Sequence, residues 1–217
     1  MVSMGELNAG LDAAHRLAML VKDLSGSLGF IKSMPQRAVI DLTAILREID
    51  KTVVAVDEAI DKFITVALNA NQIKDDPSVL MELGGLHLRS FIENNRGHCS
   101  SIYTIRLAYL NGWLDRFKTD YETQKRVITH VFDELDNADV GLFQRLSDVV
   151  SYMDQVAQEA VLLQLDNRTE DTRNLLKSSV VELFRVKSEL QQVQSEMLNV
   201  KNTFIEKMAL RQPMAEA

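Results

Sequence analysis

The sequence predicts an all-α protein, and three observations carry that reading. The first is a ladder of apolar residues from Val39 to Ala70 whose steps of three and four alternate without a miss: Val39, Leu42, Leu46, Ile49, Val53, Val56, Ile60, Phe63, Ala67, Ala70. A helix sets such residues along one stripe, which must be covered. The second is that the pattern returns twice. Leu142, Leu146, Val149, Met153, Val156, Ala160 and Leu163 form one later ladder. Leu183, Val186, Leu190, Val193, Met197, Val200, Phe204 and Met208 form the other. The third is scarcity of turn residues. The chain has 9 Gly and 3 Pro in 217 residues, and none of either between Leu142 and Gln212. Strand-rich proteins of this size need many more. The expected architecture is an elongated antiparallel multi-helix bundle. It has about six or seven helices and heptad-patterned long helices, with the C-terminal helix longest.

The first helix is expected over about Gly5 to Leu24, with Leu7, Leu11, Ala14, Leu17, Ala18 and Val21 inward. Ser25-Gly26-Ser27-Leu28-Gly29 should break it, because glycine weakens a helix interior. Phe30, Ile31 and Met34 make a short apolar turn before Pro35. The second helix starts near Pro35, which suits a first-turn position, and runs to about Gln72, on the order of 55 Å. Ile45, Ala59, Ile64 and Val66 widen its stripe, as a bundle requires and a two-stranded coil does not. Asp76-Pro77 is a stop-and-restart signal, with Asp76 as N-cap. Further helices are expected over about 77–94, 98–118 and 121–135, with corners at Asn94-Asn95-Arg96-Gly97 and at 136–141. Asp166 to Thr172 is a polar interval. Asn167-Arg168-Thr169-Glu170 has the spacing of a capping box there. A hairpin corner is the reading, and one continuous helix is its competitor. The last helix covers about Thr169 to Leu210. No linker of domain-boundary quality interrupts the chain, so one domain over 1–212 with a frayed tail over 213–217 is expected.

Composition narrows function. The chain is 46% hydrophobic and 25% charged, in keeping with a folded protein. The net charge of -7 argues against nucleic acid, which needs a concentrated basic face. A single cysteine, Cys99, excludes an internal disulfide framework and fits a reducing compartment. Met1 to Leu20 lacks the layout of a secretory signal, and no run of 18 apolar residues occurs. Cytoplasmic residence and no integral membrane span follow as expectations.

The search for chemistry returns little. His15, His87, His98 and His130 fall in different segments, and none forms the Glu-x-x-His or His-x-x-x-His pair that a metal-binding bundle uses. His98 and Cys99 are adjacent, so a helix points them about 100° apart, which is poor aim for thiol activation. An enzyme with a pocket around His98, Cys99 and Tyr103 has no specific support. The Ser25–Gly29 stretch lacks the Lys-Ser/Thr ending of a phosphate loop. Asp57, Glu58 and Asp61 read as a solvated face, with an acidic docking strip as the sharper alternative. Asp133, Glu134, Asp136 and Asp139 lack the alternating ligands and central Gly of a calcium loop. Trp113 and Phe117 share a face and read as core rather than a base-stacking platform. No catalytic residue, cofactor, metal or small-molecule substrate is assigned.

Two functions stand as expectations. The first is a non-enzymatic interaction or scaffold protein that docks partner helices or self-associates through apolar seams. Its candidate seam is Val186, Val193, Met197, Val200, Phe204 and Met208. The second is a bundle that rearranges on lipid, with Leu7, Leu11, Leu17, Leu20 and Leu24 of the sparsely charged first helix as candidate membrane segment. In helix number and in its long C-terminal helix the chain resembles the four-helix-bundle-plus-brace domains of cell-death executioners such as the HeLo and MLKL families. That resemblance implies membrane action. No motif residue matches, and the concentrated basic patch that would draw the N-terminus to lipid is missing.

Overall fold

A computed structural model of the chain describes residues 4–27, 36–69, 126, 130 and 142–209. Within them the protein is all-helical, without strands. Four helices are defined: α1 (Met4–Ser27), α2 (Gln36–Leu68), α3 (Leu142–Leu165) and α4 (Thr169–Ala209). Arg126 and His130 are helical and exposed. The expected helices over 77–94 and 98–118, most of that over 121–135, their corners, the Phe30–Met34 turn and the C-terminal tail lie outside the described residues.

The ladders point inward. Leu46, Ile49, Val53, Val56, Ile60, Phe63 and Ala67 of α2 are buried, as are Leu146, Val149, Met153, Val156 and Ala160 of α3. On α4 the buried row is Leu183, Val186, Leu190, Val193, Met197 and Val200. Together with α1 they form one core. Each large side chain hidden this way is worth roughly 1.5–3 kcal/mol against the entropy of ordering the chain. α1 and α2 each pack on both α3 and α4.

Contacts between side chains set the directions. Tyr152 of α3 donates a 3.2 Å hydrogen bond to Ser179 of α4, so α4 folds back along α3. Arg145 reaches Asp12 at 3.1 Å, while Gly10 abuts Val149, so α1 and α3 run oppositely. Lys187 meets Asp57 and Asp61, and the later Lys201 meets the earlier Asp50, so α2 and α4 also run oppositely. α1 enters closely because Gly10, Ala13, Ala14 and Ala18 are small and buried. At Gly10 a Cβ would overlap Val149 Cγ2 and lie 3.1 Å from the Arg145 carbonyl oxygen.

Three boundaries differ from the sequence reading. α1 continues through Ser25, Gly26 and Ser27. One glycine in a helix costs about 1 kcal/mol, too little to stop a helix already anchored by its buried face. α2 ends at Leu68, short of Gln72, with a turn at Asn69 whose amide donates to the Val66 carbonyl. The corner between α3 and α4 is real, but Asn167 is not its N-cap. Asn167 has φ 58°, in the left-handed region. The Arg168 amide donates to the Leu163 carbonyl at 2.8 Å, and the Asn167 amide to that of Gln164 at 3.0 Å. This paired closure, with a left-handed residue just past the last turn, is a Schellman motif. Asn167 therefore finishes α3. Arg168 begins α4, its carbonyl accepting from both the Thr172 amide and the Thr172 hydroxyl. Glu170 and Asp171 then place negative charge at the positive end of α4.

Candidate interaction face

α4 is the longest described helix, with 41 residues, or roughly 60 Å at the standard rise. Its cross-section has three zones. The inner zone is the buried row of Leu176, Ser179, Leu183, Val186, Leu190, Val193, Met197 and Val200. Ser179 is accommodated there because its hydroxyl donates to the Leu175 carbonyl at 2.8 Å while accepting from Tyr152. Burial pushes the Tyr152 phenol up; the Ser179 bond pulls it partly back, and nearby Glu182 adds to the rise.

The flanking zones carry the charge, and the fold uses it. Lys187 bonds Asp61 at 2.8 Å and Asp57 at 3.0 Å. Burial works against the lysine's charge, but the two carboxylates outweigh it and hold its pKa above the ordinary value. Lys201 bonds Asp50 at 2.6 Å. On the other flank Glu189 lies 3.2 Å from His15 Nδ1, and Glu182 pairs with Arg185 one turn on. The pairs of Lys187, Lys201 and Glu189 tie α4 to α2 and α1.

The outer zone is the unexpected one. Val181, Phe184, Ser188, Gln191, Ser195, Leu198 and Asn202 follow the same steps of three and four, displaced to the far side of the helix. All seven are exposed, Val181 by 58%, Phe184 by 50% and Leu198 by 58%. None is charged. A solvent-facing stripe is ordinarily filled with Glu, Lys and Arg, which are also better helix formers than Val, Phe, Ser or Asn. Neither helicity nor solubility accounts for this choice of residues. Other exposed leucines, Leu68, Leu162 and Leu165, stand at helix C-termini, and in the uncharged row that leads to the last two, Ser151 and Gln155 are half-buried.

The seam read from the sequence is placed inside. Val186, Val193, Met197 and Val200 belong to the core shared with α1, α2 and α3; the side chains of Phe204 and Met208 lie outside the described residues. The ladder locates an apolar stripe but does not say whose helix covers it. The leucines suggested for lipid are likewise inward. Leu7, Leu17 and Leu20 are buried and Leu11 is packed against the core, while the Leu24 side chain lies outside the described residues. His15 and His130 are exposed and far apart in sequence, and His87, His98, Cys99 and Tyr103 lie outside the described residues. Among the described residues no three His, Cys, Asp or Glu are grouped so that they could hold a metal ion, and no helix is long and apolar enough to cross a membrane. The missed residues, Val181, Phe184 and Leu198, did leave a signal: a second ladder free of charge.

No protein-family model, curated protein or solved structure matches this chain.

Proposed function

We propose that this chain is a non-enzymatic helical interaction protein that docks protein partners through the outer face of α4. The observation that carries the reading is the uncharged exposed ladder from Val181 to Asn202. Lys187 and Lys201 on one side and Glu182 and Glu189 on the other are engaged within the chain, so these four add little repulsion to an incoming surface. Phe184 offers the large apolar contact that anchors helix docking, and serine and glutamine supply adaptable hydrogen bonds around it.

The membrane reading asks for a larger change. Leu7, Leu17 and Leu20 reach lipid only if α1 leaves the groove between α3 and α4, giving up several buried side chains at about 1.5–3 kcal/mol each. Mass in solution, measured beside dye-loaded anionic liposomes, separates the two. Protein docking predicts liposomes that stay intact at every protein concentration, whether the chain is monomeric or its mass rises. Dye release at low protein concentration, from a chain that stays monomeric, contradicts it.

A further inference from the structure

We infer that the partner on the outer face of α4 is a second copy of this chain, paired antiparallel about a twofold axis between Glu189 and Leu190. The inference rests on the docking reading above and names its occupant. The outer ladder is nearly self-complementary about that point. Val181 and Leu198 are equally distant from it, as are Phe184 and Ser195, and Ser188 and Gln191. An antiparallel pair therefore sets Val181 against Leu198 of the other copy. It also sets the large Phe184 against the small Ser195, and Ser188 against Gln191. The bulkiest side chain thus meets a small one, as close packing requires, and the two remaining apolar residues meet each other. A parallel pair would instead stack Phe184 on Phe184 and leave serine opposite serine.

Charge and dipole agree with this register. The chain carries -7 overall, so most faces of two copies repel, and an uncharged stripe is where they can approach. At the edges of the antiparallel seam Arg185 falls near Gln192 of the other copy and Lys187 near its Gln194, so no like charges are opposed. Lys187 is already balanced by Asp57 and Asp61. Antiparallel alignment also opposes the macrodipoles of two long helices rather than adding them.

The area sets the strength. The ladder runs about 30 Å along a helix about 10 Å wide. Two such faces cover roughly 600 Å² together, well under the ~1,200 Å² of a standard stable interface. The pair is a weak, concentration-dependent dimer.

Disulfide trapping tests the register. The two variants are Val181→Cys and Leu198→Cys, with the parent chain, which carries Cys99 alone, as the blank. Bridging needs Cα atoms within about 7 Å. Residue 181 of one copy would lie about 25 Å along the axis from residue 181 of the other, by the helical rise. The expected result is a cross-linked dimer in the mixture of the two variants and none with either alone. Adding Phe184→Glu to both should slow trapping at least tenfold while leaving the helical circular-dichroism signal intact. Val181→Cys cross-linking to itself as fast as the mixture overturns the antiparallel register. No trapping in the mixture, in a chain whose mass still rises with concentration, overturns this pairing and leaves the docking reading standing. A chain that is monomeric at every concentration overturns self-pairing altogether.

Discussion

Gly10→Ala adds one methyl group where α1 and α3 lie closest, and two opposing effects decide its outcome. In an unconstrained helix the change stabilises by about 1 kcal/mol, because glycine is the poorer helix former. Here the new Cβ would overlap Val149 Cγ2 and press on the Arg145 carbonyl oxygen at 3.1 Å. Neither neighbour yields easily. Valine in a helix is held in one side-chain rotamer, and the carbonyl belongs to the backbone of α3. Forcing a methyl into such a contact costs about 1–3 kcal/mol. The steric effect at least cancels the propensity gain, leaving a net loss of about 0–2 kcal/mol by these magnitudes, toward the upper end because both obstructing atoms are held in place. For a chain of this size each kcal/mol moves the melting temperature by about 2–4 °C. Thermal unfolding followed by circular dichroism reads this directly. The double variant with Val149→Ala sharpens it. Val149→Ala alone loses two buried carbons, about 1.6 kcal/mol at roughly 0.8 kcal/mol each, plus a cavity term. The added methyl of Gly10→Ala partly fills that space, so the pair should be less damaging than the sum by about 0.5–1 kcal/mol or more. A Gly10→Ala chain that melts higher than the parent, or a double variant that is simply additive, would refute the close approach of α1 and α3.

Lys187→Met should cost about 1–2 kcal/mol in chemical denaturation, since it strands the largely buried Asp57 carboxylate, whereas Lys201→Met, at a more exposed pair, should cost under about 1 kcal/mol. Asn167→Ala should lose about 1 kcal/mol in thermal melts because alanine resists the left-handed conformation, while Asn167→Gly should be neutral or better; equal effects of the two would contradict the Schellman closure. Alkaline pH should weaken the fold through two groups. The Tyr152 phenol is raised above its ordinary 10.0, so the unfolded chain gives up that proton first and stability falls as pH climbs past 10. Lys187 is raised above 10.5, so the stability from its charge is whole below that value and lost as pH rises through its folded pKa. Tyr152→Phe should flatten the first part of that decline, visible in melts between pH 9 and 11, at little cost near neutrality because Ser179 keeps its bond to the Leu175 carbonyl.

How much of this was legible beforehand follows from what periodicity encodes. Leu46 to Ala67, Leu146 to Ala160 and Leu183 to Val200 could be assigned to a covered stripe because spacing alone dictates that they share a helix face. The start of α4 at Thr169 was legible from the polar interval before it. The role of Asn167 was not, because asparagine suits both an N-cap and a left-handed C-terminal position; only the φ angle distinguishes them. The persistence of α1 through Gly26 was hidden because local propensity is outweighed by packing that local sequence does not report. The stripe of Val186, Val193, Met197 and Val200 is apolar on its face in the sequence. Whether α1 to α3 or another molecule covered it depends on tertiary placement. The outer ladder is hidden from apolar periodicity for a different reason. Ser188, Gln191 and Ser195 break its hydrophobic continuity, so a search for apolar periodicity passes over it, whereas the absence of charge at seven exposed positions stands out once burial is known.

The central claim is that α4 has two working faces, an apolar one closed within the chain and a neutral one that pairs with a second copy. Sedimentation equilibrium of the full chain beside Phe184→Glu tests it most directly. The account predicts that the parent's mass climbs from 24.5 kDa toward twice that value as concentration rises, and that the variant, equally helical, stays at 24.5 kDa. Identical curves for the two proteins would contradict it.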